Sequence, residues 1–485
     1  MALIRQQTIS PKAVIYLLFT GGLCTLAYAL IFKHLLLAAI VMCLPLIFII
    51  FTFSIHYPRL SFLVYATVTY YFSAIIRYSG QEGLSVILDA MLVYIFVSIL
   101  IYSIQKDSKI QIKNAFNALT GFYLIWMLYV LIQFANPAFH GSEKIIMTLR
   151  SWCLAVPMLY VISSLLADSP KMLKRSLIVW GIFTITAFIK LIYQKYRWFD
   201  ATEMAWLMEG NWKTHLLHTG IRYFSFFSDA GNFGSHMGMV SIIYSIIGFN
   251  THNRRLSIFY LCIAAMGGIG MLLSGTRGAI AVPLGGLLLY CLICKNIKIM
   301  IFSAIAGALL YSFFAFTDIG NDNTVIRRMR TAFQPKEDKS FNVRKENQER
   351  IALYLKHNPW GAGFMGEIPM TLIEQNTIIE KSIPPDSHYV DIWTKTGYWG
   401  LTIYIAVYAL ILCCGCYIIM FRVRNKELRN TLAALLCGIF GIWINGYVGR
   451  GMGMPPSNIL IAVSMAFIMN GSYIDKQLQD KKNNL

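Results

Sequence analysis

Residues 384–421 read PPDSHYVDIWTKTGYWGLTIYIAVYALILCCGCYIIMF, and along this stretch the chain passes from polar to wholly apolar. The second part, 397–421, has no charged side chain and exceeds the about 20 residues needed to cross a hydrocarbon core about 30 Å thick. The first part closes the polar interval Thr317–Thr396, which holds about a third of the charged residues. Working outward, apolar runs recur near 13–32, 35–55, 59–77, 84–104, 115–134, 151–167, 175–193, 230–249, 256–273, 279–294, 299–317, 429–447 and 457–473. Hydrophobic residues make up 57% of the chain and charged ones 13%, against about 25% charged in soluble proteins. In hydrocarbon each segment must satisfy its own backbone polar groups, which selects helices. The expected fold is all-α: a polytopic transmembrane bundle of about 12–14 spans with one large loop containing short helices.

The formal net charge of +19 would suggest nucleic acid in a soluble protein. Here the basic residues fall in short alternate connections: Lys106, Lys109 and Lys113; Lys171, Lys174 and Arg175; Arg254 and Arg255; Lys295 and Lys298; Arg422, Arg424, Lys426 and Arg429; Lys476, Lys481 and Lys482. The positive-inside rule puts these connections, and both termini, in the cytoplasm, and no nucleic-acid partner is expected. The chain then divides into N-terminal spans with an outer connection at 194–229 (1–229), central spans (230–317), a large outer loop (318–396), C-terminal spans (397–473) and a polar, frayed cytoplasmic tail (474–485). No short apolar region with a cleavage site follows Arg5 and Lys12, so the first span is expected to remain as an anchor. The ten cysteines lie in or near apolar runs, which gives the loop no disulfide framework and makes the Cys413, Cys414 and Cys416 group packing residues.

Arginines on the outer side are not explained by charge topology. Arg277 stands in the turn Ser274-Gly275-Thr276-Arg277-Gly278, where a guanidinium between glycines suits a phosphate; its alternative is an interfacial side chain meeting headgroups. Arg222 precedes Tyr223, Phe224, Phe226 and Phe227, which suit a membrane-interface belt equally well. Asn232, in Asp229-Ala230-Gly231-Asn232-Phe233-Gly234, suits either a sugar or phosphate contact or a helix cap. Arg344 opens a loop helix expected over Val343–His357 with Asn342 as cap. Arg327, Arg328 and Arg330 read as contacts to anionic lipid. A second loop helix is expected to start at Asp386 or Ser387 and to set His388, Asp391 and Lys395 on one face, with Asp391 orienting the His388 ring. His215 and His218 are too isolated to form a site. No ligand set has metal spacing, and no cofactor is implied. Asp89 and Lys190 lie near the outer ends of spans, either functional or neutralising one another. A further outer connection carries Arg450, within Gly449-Arg450-Gly451.

Taken together, Ser274–Ala279, Arg344 with His357-Asn358-Pro359-Trp360-Gly361-Ala362-Gly363, and Ser387-His388-Tyr389 with Thr396-Gly397-Tyr398-Trp399-Gly400-Leu401 resemble the O-antigen ligase and polymerase family of bacterial membrane glycosyltransferases. The likeness covers roughly 222–421. It implies a GT-C-like, metal-independent transferase in the bacterial inner membrane with its active site facing the periplasm. The implied donor is an undecaprenyl-diphosphate-linked glycan. The implied acceptor is lipid A core for a ligase or a growing polysaccharide for a polymerase. By position the resemblance assigns Arg222, Arg277 and Arg344 to the diphosphate and His388 to catalysis, with Asn232, Asp391 and Arg450 in support. Family members often carry Asn after this His, where Tyr389 stands here. The competing reading is a transporter or flippase of lipid-linked glycans, which would show internal repeats and midplane charge; a third is a scaffold subunit of an assembly complex.

Overall fold

The computed structural model describes residues 52–483 apart from 82, 106–109, 139–141, 218–219, 296, 331–332, 334–338, 365, 375–376 and 450. The first expected span, most of the second, and Arg450 lie outside the described residues. What is described is a helical, polytopic membrane architecture, as expected. Its main elements are α1 (Pro58–Tyr70), α2 (Phe72–Ser79), α3 (Ser85–Ile104), α4 (Ala118–Ile132), α5 (Val156–Leu166), α6 (Pro170–Arg197), α7 (Ala230–Asn250), α8 (Arg254–Leu273), α9 (Ala281–Ile293) and α10 (Ile297–Phe316). The loop supplies α11 (Thr324–Arg330) and α12 (Lys339–His357), and α13 (His388–Tyr417), α14 (Lys426–Asn445), α15 (Ser457–Met469) and α16 (Gly471–Asn483) follow.

Among the described residues seven helices are long and apolar enough to cross a membrane, or up to nine if the bent pairs α1–α2 and α15–α16 each count as one span. Shorter apolar helices, Arg277–Ile293 and Met300–Phe316, occupy two further expected spans, and α7 occupies another. Local sequence explains the starts. Asn117, Ser169, Asp229 and Asn425 each accept a backbone N–H from the first turn of α4, α6, α7 and α14, and Pro170 sits where its missing N–H costs nothing. The centre of the bundle is α14, 78% of whose apolar window is buried, against 22–39% for the other candidate spans. Small residues let backbones meet around it: a Cβ on Gly267 would lie 2.8 Å from Ser241 N of α7, and one on Gly441 would overlap Val282 O of α9. Leu128, Ile189, Leu288, Phe302 and Leu309 remain exposed on the outer faces, which suits lipid rather than water.

The fold is nearly all helical, as expected, with two short strand pairs beside the helices: β1 (Leu216–Leu217) pairs with β2 (Gly220–Ile221), and β3 (Pro369–Glu374) pairs antiparallel with β4 (Thr377–Ser382), Leu372 opposite Ile379. β-branched Thr371, Ile373, Thr377, Ile378 and Ile379 favour that hairpin. The tail is α16 rather than a frayed end. Its Asp475 is buried and accepts from the backbone N–H groups of Arg424 (3.1 Å) and Asn425 (2.8 Å). Asp89 and Lys190 do not neutralise one another: Asp89 pairs with Arg150, and Lys190 lies 3.0 Å from Asp200 and 3.1 Å from Glu203. α12 begins at Lys339, so Asn342 is inside it rather than its cap.

Candidate functional site

The turn that ends α8 organises the arginines. Ser274 Oγ accepts from Thr276 N (3.1 Å), and Thr276 Oγ1 donates to Ala230 O at the start of α7 (2.7 Å). Arg222 reaches the same hydroxyl, Nη2 donating to Thr276 Oγ1 and Nη1 to Thr214 O, both at 2.9 Å. Its Nε is buried with no hydrogen-bond partner. Burial first, and then the charges of Arg277 and Arg344, press the Arg222 guanidinium below its ordinary pKa, while Asp229 pulls it up. Three separate connections therefore bring their arginines within electrostatic reach: 194–229, the 274–278 turn and the large loop. Arg328, from α11, joins them by donating Nε–H to Gly275 O at 2.6 Å. The lipid-contact reading of the 327–330 cluster is thereby corrected for two of its members. Arg330 is buried and donates to Asn321 Oδ1 (2.5 Å), Ile319 O (2.6 Å) and Thr317 Oγ1 (3.2 Å).

The stretch after Arg222 is not an interface belt, because Tyr223, Phe224 and Phe227 are buried. Arg77 holds it. Its guanidinium lies 4.5 Å from both the Trp206 and the Phe224 rings, and Nη2 donates to Phe227 O at 2.6 Å. His215 fixes the other flank. Nε2 accepts from Ala230 N (3.2 Å), so Nδ1 carries the proton toward Asn211 O (2.9 Å). Burial foremost, opposed by the Asn211 bond and aided by Arg222, lowers the His215 pKa. The folded state therefore takes this proton less readily than the unfolded chain. Stability is fullest above the unfolded value of about 6.5 and declines as pH falls through it. In thermal unfolding, His215→Gln is expected to be less stable than wild type at about pH 8 and to show a shallower decline from about pH 7 to 5.

His388 opens α13, and Ser387 caps it by accepting from Val390 N. Its backbone N–H points to Gly446 O (3.0 Å) and Gly449 O (3.2 Å), in the turn that ends α14. A Cβ on Gly278 would lie 2.8 Å from Val448 and 3.1 Å from Asn445 Oδ1 of that same turn. The 445–449 turn thus touches both the Arg277-Gly278 segment and the backbone of His388. Asp391 does not orient the ring. It is paired with Lys395 at 2.7 Å, while His388 Nε2 meets Tyr404 Oη at 2.7 Å. The reason is a break in α13 at Gly397 (φ 67°, ψ −163°), which lets the helix beyond it return past its own start. Tyr404→Phe keeps the ring packing and removes this partner. Its expected effect is a fall in turnover of about 3- to 30-fold with a displaced pH profile, read by steady-state rates across pH.

The remaining supporting residues separate. Asp229, not Asn232, caps α7; Asn232 is buried, with Nδ2 donating to Pro455 O (2.8 Å) and Ser228 Oγ (3.1 Å) and Oδ1 left without a partner. Arg344 lies one turn before Asn347, whose Nδ2 donates to Asp386 Oδ2 at 2.9 Å, so α12 is tied to the segment leading into His388. Ile351, Leu355, Ala362, Ile368, Ile383 and Val390 form a small core of the loop's own. Two motifs that read as separate are one joint: Ala362 N donates to Thr394 O and Gly363 N to Lys395 O, both at 2.9 Å. The end of α4 fastens this joint to the bundle. Tyr129 Oη donates to Thr396 O (2.9 Å), Gln133 Nε2 to Trp360 O (3.2 Å), and Asn136 Nδ2 to Trp360 O (3.1 Å) and Gly361 O (3.2 Å).

Tyr404, Arg328 and the Tyr129–Gln133–Asn136 clamp were not found from sequence. Tyr404 and Tyr129 are ordinary aromatic residues in apolar runs, but the polar Gln133 and Asn136 at a span's end were a usable signal. Among the described residues no group of three or more His, Cys, Asp or Glu side chains could hold a metal ion. Residues 261–405 match the family model described as O-antigen ligase. No curated protein matches the chain significantly.

Proposed function

We propose, from the match of residues 261–405 to the O-antigen ligase family model, that the protein is a glycosyltransferase that takes a glycan from undecaprenyl diphosphate and passes it to an acceptor hydroxyl. The reaction site faces the periplasm, with both termini cytoplasmic in the bacterial inner membrane. The observation that carries this reading is the convergence of three connections: Arg222 bonds to Thr276, next to Arg277, and the charges of Arg277 and Arg344 both act on Arg222, with Asp229 opposing them among the described residues. Guanidiniums gathered in this way suit a ligand with two phosphates.

In the proposed reaction the acceptor oxygen attacks the anomeric carbon as the bond from that carbon to the phosphate oxygen breaks. The electron pair leaves with undecaprenyl diphosphate, and the arginines stabilise the charge that accumulates there. His388 takes the acceptor's proton, and Tyr404 orients its ring. One direct displacement inverts the anomeric configuration. Lipid A core is the acceptor of a ligase and a growing polysaccharide that of a polymerase.

The test reconstitutes the full chain in proteoliposomes with an undecaprenyl-diphosphate glycan and either acceptor. Appearance of the lengthened acceptor together with free undecaprenyl diphosphate is expected. Movement of the donor across the bilayer with no transfer would favour a flippase instead, and a product of retained configuration would exclude the single displacement.

A further inference from the structure

A cavity of about 420 Å³ opens between α1, α5, α6 and α15, with Phe62, Ala66, Val179, Trp180, Phe183 and Val463 in its wall. It lies toward the end of the bundle opposite the arginine cluster. α1 leads away from this end into α2, whose Arg77 holds Phe227 O. α15 runs toward it, from Ser457 beside His236 to Asn470, whose Nδ2 donates to Ser164 O (2.8 Å) and Ala167 O (2.9 Å). An apolar void leaves its walls without partner atoms and does not hold water. Within a membrane the filler at hand is a lipid chain.

The polar part of the lining carries charge of one sign. Arg59 and Arg175, from the first turns of α1 and α6, both border the cavity. Arg59 Nη2 donates to the buried Asp168 Oδ2 at 2.5 Å. Arg175 is exposed and, among the described residues, has no ion pair or hydrogen bond for its guanidinium. Two guanidiniums therefore face one carboxylate, and Lys171 and Lys174 are exposed beside them on α6. An apolar slot with surplus positive charge at its edge fits an amphiphile with an anionic head. We propose that this cavity binds an anionic phospholipid, with one acyl chain between α1, α6 and α15 and the headgroup phosphate on Arg175 and Arg59. The site is separate from that of the diphosphate and does not depend on glycan transfer. Trp180 of its wall donates Nε1–H to His236 Nε2 (3.3 Å), which leaves Nδ1 to donate to Ser457 Oγ (3.0 Å). A seated chain therefore supports the packing of α6 on α7 and α15, and the bound lipid stabilises the fold by mass action.

The experiment uses the full chain in detergent micelles, with dioleoyl phosphatidylglycerol and dioleoyl phosphatidylcholine as probes, read by native mass spectrometry and thermal unfolding. The wild type is expected to retain one phosphatidylglycerol in preference to phosphatidylcholine and to melt at a higher temperature with it. Arg175→Gln should weaken phosphatidylglycerol binding about fivefold and leave phosphatidylcholine binding unchanged. Val463→Phe narrows the cavity and should weaken the binding of both lipids. Arg254→Gln removes an exposed charge at the start of α8, outside the cavity, and should behave as wild type. Equal retention of the two lipids by the wild type, or unchanged phosphatidylglycerol binding in Arg175→Gln, would overturn the proposal, as would unchanged binding in a folded Val463→Phe. Should Val463→Phe not fold, the two exposed arginines decide: a loss confined to Arg175→Gln supports the site, and equal losses reduce it to a general surface attraction. A wild type that retains no phosphatidylglycerol would mean that the chain fills the cavity itself and would remove the site. Displacement of phosphatidylglycerol by equimolar undecaprenyl phosphate would give the cavity to a prenyl chain and overturn the phospholipid assignment.

Discussion

Arg277→Ala is expected to lower glycan transfer about 10²- to 10³-fold, the usual cost of removing one donor aimed at developing negative charge. The turn that carries Arg277 is independently secured. Thr276 bonds to Ala230 O and to Arg222, Ser274 Oγ accepts from Thr276 N, and Gly278 packs on the 445–449 turn. Loss of one side chain at the first position of the Arg277–Ile280 helical turn should therefore leave the backbone in place. Thermal unfolding of Arg277→Ala should stay within a few degrees of wild type while turnover collapses. The division between kcat and KM is informative. Stabilisation of the departing diphosphate lowers kcat, whereas equal grip on substrate and transition state raises KM. Arg277→Lys should restore only a fraction, because an ammonium lacks the two parallel donors. Wild-type turnover by Arg277→Ala would remove the diphosphate site from this turn.

Gly397→Ala is expected to be the most disruptive single-methyl change in the site. Gly397 lies at φ 67°, ψ −163°, a region open in practice to glycine alone, at a cost of about 1–3 kcal/mol for other residues. A Cβ would also overlap Pro359 O and lie 2.8 Å from Gly361 N. That backbone contact is the joint between the 358–363 turn and the break in α13, and it lets Tyr404 return to His388. The substitution should therefore lower the melting temperature, open the loop to limited proteolysis and reduce transfer together. Gly121→Ala in α4 makes a suitable comparison, since nothing lies within 4 Å of its added methyl; it should leave all three measurements near wild type. A Gly397→Ala protein with a wild-type melting curve and a protected loop would mean that the joint yields without cost.

Much of the fold was legible because its determinants are local. Apolar length specifies the spans. Side chains that accept backbone N–H groups specify helix starts, and the Ser387 cap before His388 is such a case. What was misread concerns partners. Asp391 sits on the same helix face as His388 and at the right spacing, yet it binds Lys395. Spacing on a helix describes which residues are neighbours along that helix and says nothing of what the chain brings back from beyond a break. Asn232 had the composition of a cap, but Asp229 lies at the non-helical position where a cap must be, and Asn232 is inside the helix. The β3–β4 hairpin was overlooked because six-residue strands in a polar loop carry a weaker periodic signal than a membrane span.

The sequence by itself determined that this is a polytopic helical membrane protein with arginines in the connections between its spans, a loop helix bearing Arg344 and a histidine at the mouth of a late span. Only the tertiary structure decided which arginines meet, that Arg328 joins them, and that Tyr404 rather than Asp391 is the side-chain partner of His388 Nε2. The physical reason lies in the solvent. Spans meant for lipid are apolar around their whole circumference, so their sequence carries little record of which face turns inward. The facing is fixed by contacts between distant segments, such as Gly441 on Val282 and Asn136 on Trp360 and Gly361. Those contacts exist only when the bundle is assembled.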